Sequence, residues 1–362
     1  MAAPPPSLDR AFVRRTAFQF ALAAALFLAW QLASVFALVF GAIVVAVLFR
    51  SLADPIRDHT PLGDRWALAA AVIVIAGVIG ASAWLFGSVM VAQFGELASR
   101  LPHSMADLRQ LVSGLPFGDR FAAQLQDAGD LTAQFKGLAG RIGGYAVSFA
   151  GAITNLVLVI FAGLFMAIEP GKTRDGLALL FPKAPRAAVT EALDACGRSL
   201  QLWLRGMLVD MAFVGVLTGL GAWLVGLPSP LALGLIAALL DFVPFIGPVA
   251  SIIPGVLLAI PSGGETVAWT LLMYIAVQQL EGNVIYPFVQ KRAVDLPPVL
   301  SLVAVLAFGV LIGPLGVVLA TPMLVVLYTL VRVLYLRNTL GEPVSAPGLP
   351  ASTDQRRGRE DP

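Results

Sequence analysis

The sequence is poor in charge, cysteine and histidine, and each shortage excludes a class of protein. Only 13% of its 362 residues are charged and 58% are hydrophobic, whereas soluble domains have about 25% charged residues. A single cysteine, Cys196, excludes an internal disulfide, and His59 and His103 add too few ligands for a zinc site. The composition therefore predicts a polytopic membrane protein without redox or soft-metal chemistry.

Several motifs of catalysis and energy conversion are also missing. The sequence has neither a GxxxxGKS or GxxxxGKT phosphate loop nor an HExxH zinc motif. Ser229, in the stretch GLPSP, has no histidine in an apolar segment to activate it. A net charge of +2, with scattered basic residues, argues against nucleic acid as a partner. We expect neither an enzyme nor an ATP-driven pump, and we expect no cofactor.

The N-terminal apolar run, from Ala17 to Phe49, is too long for one simple span. Its 33 residues would form a helix of about 50 Å, against a hydrocarbon core of about 30 Å. It also exceeds the apolar core of a signal peptide, which makes cleavage the less favoured interpretation. Basic residues precede the run at Arg14 and Arg15 and follow it at Arg50. A membrane hairpin with both ends in the cytoplasm fits these flanks.

The next segments alternate between spanning and surface character. We expect a third span over 66–92, leading outward, and a fourth over 145–168, leading back to basic residues. Between them, residues 93–142 carry apolar residues at intervals of three and four, which predicts amphipathic helices outside the membrane. These helices either lie on the membrane or protein surface, or form an arm that contacts another subunit.

The C-terminal half contains four long apolar segments, at 200–227, 231–260, 267–289 and 296–331. Two are interrupted by helix-breaking residues: Pro244, Gly247 and Pro248 in one, and Gly313, Pro314 and Gly316 in the other. We expect these two to be discontinuous helices or re-entrant hairpins. The predicted fold is all-α, with about eight membrane crossings and both termini in the cytoplasm.

This organisation divides the chain into five parts. They are a cytoplasmic N-terminus (1–16), a membrane hairpin with a third span (17–92), the extracytoplasmic amphipathic helices (93–142), a C-terminal membrane domain (143–338) and a cytoplasmic tail (339–362). The tail is rich in proline, serine and charge, so we expect it to be disordered.

The leading candidate for a functional site is Asp241, in the stretch DFVPFIGP. A helix broken inside a membrane leaves N–H and C=O groups that protein, water or a ligand must satisfy. Transporters use such breaks to hold a substrate or ion between moving parts. Pro244, Gly247 and Pro248 would then line the path beside Asp241. The alternative is that Asp241 only caps the following helix.

Two further acids lie in apolar segments of the C-terminal half. Glu281, with Asn283 nearby, would face protein or a water-filled path, or would pair with Lys291 or Arg292 at the interface. Asp210 is weaker, because Gln201 and Arg205 are close in sequence and the three could mark an interfacial turn. We expect Asp241 and Glu281 to line one path and at least one of them to carry protons.

Small residues four positions apart recur in the same half, and we expect them to form helix-packing surfaces. The pairs are Gly215 with Gly219 and Gly309 with Gly313.

Three motifs of this half carry a family resemblance. DFVPFIGP at 241–248, EGNVIYP at 281–287 and GPLGVVLATP at 313–322 resemble, in order and spacing, motifs of the autoinducer-2 exporter (AI-2E) family of permeases. The resemblance covers roughly residues 15–338. It implies a multi-pass secondary transporter of the bacterial cytoplasmic membrane, with the lipid bilayer and a small solute or ion as partners, and we expect a homo-oligomer. The family includes autoinducer-2 exporters and members similar to sodium/proton antiporters, so coupling to protons or sodium is implied. A non-transporting scaffold remains the alternative.

Overall fold

The computed structural model describes residues 10–82, 84–85, 154–285 and 296–342, and every regular element in these ranges is helical. The predicted external insert at 93–142 and nearly all of the predicted tail lie outside the described residues, as do Lys291 and Arg292. The helices are α1 (Arg10–Gln31), α2 (Ala33–His59), α3 (Asp64–Ser82), α4 (Thr154–Ile168), α5 (Pro170–Leu179), α6 (Arg186–Val225), α7 (Pro230–Asp241), α8 (Ile246–Ala259), α9 (Gly264–Leu280), α10 (Pro298–Ile312) and α11 (Pro314–Leu330). Short turns of 3₁₀-helix (Ile260–Ser262) and π-helix (Glu281–Ile285 and Val331–Arg337) follow α8, α9 and α11.

Four of the described helices are long and apolar enough to cross a membrane. They are α2, α3, α6 and α11 with its π-helical extension. A fifth span is formed if α4 and α5, which meet at an angle of 95°, are counted as one. Large apolar side chains such as Val310, 87% exposed, point away from the protein, as expected for contact with lipid. The chain is a polytopic, all-helical membrane protein.

The N-terminal run differs from the expected hairpin. Helical hydrogen bonds continue across the junction of α1 and α2, from Leu32 N–H to the Leu28 carbonyl (2.9 Å) and from Phe36 N–H to the Leu32 carbonyl (3.0 Å). Residues 17–40 contain no glycine or proline, so nothing in this stretch favours a tight turn. The chain does not turn back at Leu32, and α2 alone is the candidate span in this part of the chain.

Helix α6 is the centre of the fold. Its 40 residues correspond to a length of about 60 Å, and it packs against α2, α5, α7, α9 and α11. Towards its C-terminal end it shares an apolar core with α7, α8 and α9, which includes Val214, Leu233 and Val277. Further towards its N-terminus, Leu200 and Leu204 pack with residues of α2 and α11.

Two pairs of short helices form the predicted breaks. Helix α7 packs against α8, and α10 packs against α11. With 12 and 14 residues, α7 and α8 are about 18 and 21 Å long, too short to cross a bilayer of about 30 Å. Gly313 has φ 77° between α10 and α11, in the left-handed region that favours glycine. The two expected interruptions are present but shorter than expected: the first covers residues 242–245, with Gly247 and Pro248 already in α8, and the second is at Gly313.

Candidate functional site

Three acidic side chains from three different helices meet inside the C-terminal half. One carboxylate oxygen each of Asp210, Asp241 and Glu281 lies within 4.8 Å of the others. Asp210 lies on α6, Asp241 is the last residue of α7, and Glu281 begins the π-helical turn after α9. Asp210 is 6% exposed and Asp241 is 4% exposed. We call these three residues the acid cluster.

Close packing of α6 on α7 brings the two aspartates together. A Cβ atom on Gly234 of α7 would lie 2.5 Å from the Gly215 carbonyl oxygen of α6 and 3.1 Å from the Gly219 Cα atom. A Cβ on Gly215 would in turn lie 2.9 Å from the Ala238 Cβ. The helices run antiparallel, so Asp241 comes level with Asp210 further along the same contact. The expected packing role of Gly215 and Gly219 is confirmed.

The tip of the α7–α8 hairpin, residues 242–245, is anchored beside the cluster. The Phe242 ring packs edge-on against Trp203 of α6, with ring centroids 6.1 Å apart. Backbone groups at the tip bond locally, as in the contacts from Gly247 N–H to the Val243 carbonyl and from Ile246 N–H to the Pro244 carbonyl, both 2.8 Å. These bonds supply partners to a broken helix within the protein, as a break at membrane depth requires.

A glycine at position 247 permits this tight tip. A Cβ atom there would collide with the Leu240 carbonyl oxygen. Phe245 has φ 66°, a left-handed conformation that is strained for a bulky side chain. Such strain is often found at sites where the chain holds or releases a ligand.

Glu281 is positioned by α9 and by a neighbouring amide. The Gln278 side-chain N–H₂ donates to the Glu281 Oε2 atom at 2.8 Å. Helix α9 packs closely on α6, since a Cβ atom on Gly221 would lie 2.5 Å from the Met273 Cγ. The sequence analysis did not predict Gln278 as a partner of Glu281.

The cluster carries negative charge without a basic partner among the described residues. No ion pair in the described ranges includes Asp210, Asp241 or Glu281. Asp210 Oδ1 and Asp241 Oδ2 are buried and have no hydrogen-bond partner there. Carboxylates removed from water need protons, a cation or basic groups to be stable. Their oxygen atoms suit hard cations as ligands.

The other predicted site residues lie near the cluster but do not belong to it. Pro244, Gly247 and Pro248 belong to the tip that follows Asp241 and to the first turn of α8. Asn283 is exposed, and its side chain donates to the Gln279 backbone and side-chain oxygens at 2.9 and 3.0 Å, so it does not join the cluster.

The alternatives for Asp241 and Asp210 are not observed. Helix α8 begins after Phe245 without a side-chain cap, so Asp241 does not cap it. Gln201 and Arg205 do not mark a turn around Asp210, because both bond to Asp54 of α2, at 2.6 and 3.4 Å. The proposed partners of Glu281, Lys291 and Arg292, lie outside the described residues.

Comparisons with known proteins identify the family of this chain. A family described as "AI-2E family transporter" matches residues 20–336. The chain is 34% identical over 148 residues to "Putative transport protein YrrI" of Bacillus subtilis, which covers 41% of this chain and 42% of the relative. It is 29% identical over 350 residues to "Putative transport protein MT0215" of Mycobacterium tuberculosis, over 91% of this chain and 94% of the relative.

A third relative has a more specific name. The chain is 28% identical over 184 residues to "AI-2 transport protein TqsA" of Escherichia coli, which covers 48% of this chain and 51% of that protein. The chain therefore spans less than two thirds of some relatives that it matches, and nearly all of others. Since the family match itself extends over most of the sequence, this chain belongs to the AI-2E family of membrane transporters and is not an enzyme.

Proposed function

We propose that this protein is a secondary transporter whose coupling cation, a proton or sodium ion, binds at the acid cluster. The observation that carries the proposal is the meeting of three carboxylates within 4.8 Å, two of them with buried, unpartnered oxygens. A site of this kind is costly inside a membrane and is a functional candidate by default.

The hairpin tip is the element that we expect to move. With the cluster empty, repulsion among the acids opposes the packing of Asp241 against Asp210 and Glu281. A bound cation or protons remove that repulsion and favour the closed tip. Ligand binding can thus shift the tip between two positions, as in transporters with discontinuous helices. Pro244, Gly247 and Pro248 would border the solute path on this proposal.

The proposed topology includes α7–α8 and α10–α11 as two re-entrant hairpins. The C-terminus would lie in the cytoplasm, and the protein would reside in the bacterial cytoplasmic membrane. A homo-oligomer is part of the proposal, with residues 93–142 as one possible contact between subunits. Autoinducer-2 is the first solute to test, because the relative TqsA is named as its transporter.

Sodium/proton exchange is a second candidate function. The cluster contains only hard oxygen ligands, which suit sodium as well as a proton. In that case the two cations would compete for the same carboxylates and no organic solute would be needed.

Flux measurements on purified protein in liposomes test the proposal. Wild-type protein should move autoinducer-2, or sodium, in response to an imposed proton or sodium gradient. Asp241→Asn and Glu281→Gln should insert normally but lower gradient-driven flux about tenfold, the scale expected when an interaction with a charged group is lost. Glu265→Gln is the matched control, because Glu265 is exposed at the opposite end of α9.

Two results would contradict the proposal. If the single and double variants retain full gradient-driven flux, the acid cluster is not the coupling site. If the wild-type protein moves no solute and no cation under any gradient, a scaffold function becomes the better explanation.

A further inference from the structure

A cavity lies away from the acid cluster, between α2, α5 and α6. Its volume is about 810 Å³, within the range of about 300–1,000 Å³ that is typical of small-molecule sites. Gln201 of α6 lines it, and Asp210 lies nine residues further along that helix, about 14 Å away in rise. The cavity is therefore distinct from the acid cluster.

The lining changes from apolar to charged along the axis of α2. Phe40, Ile43 and Val47 line one end of the cavity, and Arg50, Asp54 and Arg57 line the other. These residues are three or four positions apart, so they form one stripe of the helix. The stripe covers about 25 Å of helix length. A ligand that fills this space needs an apolar part and a polar head.

The charged end is lined by arginine and aspartate side chains. Four arginines line it (Arg50, Arg57, Arg174 and Arg198), together with three aspartates (Asp54, Asp64 and Asp194). The aspartates are already occupied, because Asp64 pairs with Arg50 at 2.7 Å, Asp194 pairs with Arg174 at 3.1 Å, and Asp54 accepts from Gln201 at 2.6 Å. Arg57 and Arg174 also pair with Asp58 and Asp175, at 3.1 and 2.7 Å, which leaves Arg198 as the lining arginine without a carboxylate partner among the described residues.

Arg198 differs from the other lining arginines in having no carboxylate partner among the described residues. It makes no ion pair within the described residues, and its Nε atom is buried without a hydrogen-bond partner there. A buried guanidinium N–H without an acceptor is costly, and arginine is well suited to bind the planar oxygens of carboxylate or phosphate. Arg198 itself lines the cavity.

We propose that this cavity binds one anionic amphiphile, with its carboxylate or phosphate head at Arg198 and its hydrocarbon chain along Phe40, Val47 and Val326. The charged end lies near the basic last turn of α2 and the basic residues of α5, and the apolar end lies within the span of α2. A lipid or an amphipathic solute that enters from the membrane would place its polar head at the charged end and its hydrocarbon chain at the apolar end. The proposal is independent of coupling at the acid cluster.

Photolabelling of the full chain in phosphatidylcholine liposomes tests this site. The probe is a hexadecanoic acid with a diazirine in its chain, and the matched probe is the corresponding alcohol. Labelled peptides are identified by mass spectrometry. The acid should label the segments around Val47 and Val326, and the alcohol should label them weakly. Hexadecyl phosphate should compete with the acid probe, whereas inorganic phosphate at the same concentration should not.

Substitutions connect the labelling to the proposed contacts. Arg198→Gln should reduce labelling by the acid about tenfold, because a hydrogen bond to a charged group is lost, and Arg198→Lys should retain part of it. Arg65→Gln is the control, since Arg65 is exposed and does not line the cavity. If Arg198→Gln fails to fold, Val47→Trp, which fills the apolar end, should block labelling near Val326 instead.

Three results would overturn the proposal. They are equal labelling by acid and alcohol, unchanged labelling in both folded Arg198→Gln and Val47→Trp, and competition by inorganic phosphate alone. The first two would mean that membrane lipid enters the gap without recognition. The third would mean that the head group binds without need of the chain.

Discussion

Asp210, Asp241 and Glu281 form an unfavourable arrangement unless a positive charge joins them. Two unit charges at 4.8 Å, the upper limit within the cluster, repel by roughly 3 kcal/mol at an effective dielectric constant of about 20. The repulsion summed over the three pairs approaches the free energy of unfolding of a whole domain, about 5–15 kcal/mol. Protons or a cation must therefore neutralise most of this charge in the folded protein.

Stability in the presence of sodium should depend on the cluster. A cation that binds only the folded protein stabilises it by about 1.4 kcal/mol at ten times its Kd. We expect wild-type protein in detergent to melt at a higher temperature in sodium chloride than in N-methylglucamine chloride of equal ionic strength. Asp210→Asn should abolish most of this difference, because it removes one ligand and one negative charge.

Asp210→Asn should also affect the melting temperature in the absence of sodium. In N-methylglucamine chloride, Asp210→Asn should melt at the same temperature as the wild type or above it, since one source of repulsion is gone. Glu265→Gln, at an exposed position, should change neither measurement. A sodium-dependent shift that survives in Asp210→Asn would mean that the ion binds elsewhere.

At the scale of elements, the separation of α6 and α7 determines whether the aspartates meet. Gly234→Ala would place a Cβ atom 2.5 Å from the Gly215 carbonyl oxygen, so the helices must move apart. Overpacking of this kind costs about 1–3 kcal/mol. We expect an apparent melting temperature about 5 °C lower, together with loss of the sodium-dependent shift.

Gly219→Ala is the control on the same contact surface. Its added Cβ atom would lie 3.5 Å from the Pro230 carbonyl oxygen and 3.9 Å from the Gly234 Cα atom, which are ordinary contact distances. It should retain the sodium-dependent shift and close to wild-type stability. Equal behaviour of the two alanine variants would refute the idea that close approach of α6 and α7 builds the site.

The elements also explain which features could be predicted from the sequence. The two broken helices follow from local chemistry, because Pro244 and Pro314 lack a backbone N–H for an interior helical hydrogen bond, whereas Gly247 and Gly313 permit backbone geometry that a side chain would oppose. The N-terminal turn was a prediction from length and charge alone. The local sequence around Leu32 provides no residue that favours a turn, and the helix continues there.

The acid cluster depends on contacts that are distant in sequence. Asp210 was the weakest candidate because Gln201 and Arg205 are close to it along the chain. Their partner, Asp54, lies 147 positions from Gln201, and no local pattern indicates that pairing. Once α2 binds those two side chains, Asp210 is free to face α7 and α9. The identity of the acids was therefore predictable, whereas their meeting required the packing of α6.

At the scale of the whole molecule, α6 connects the two candidate sites. The amphiphile cavity lies along its N-terminal part and the acid cluster lies further along the same helix. Its charged residues are concentrated before Asp210, and none follows before its end at Val225. From the preference of basic residues for the cytoplasm, we predict that the helix enters from the cytoplasmic side.

This orientation predicts the sides of three loops. Helix α6 should end outside, and α7 and α8 pack together as a hairpin, so the turn at Ser262 should also lie outside. Asp58, at the basic end of α2, should lie inside. Residues 93–142 should lie outside, because they follow the outward third span. Single cysteines at Ser113, Ser262 and Asp58, in a Cys196→Ser background, test these positions with a membrane-impermeant maleimide.

Right-side-out and inverted membrane vesicles separate the outcomes. Ser113→Cys and Ser262→Cys should be labelled in right-side-out vesicles, and Asp58→Cys only in inverted ones. Labelling of Ser262→Cys from the cytoplasmic side would mean that α7 and α8 cross the membrane together as one broken span. The acid cluster would then lie on a crossing path rather than at the tip of a re-entrant hairpin, and the proposed motion of residues 242–245 would be wrong. Labelling of all three positions from one side would instead contradict the use of basic flanks to orient this chain.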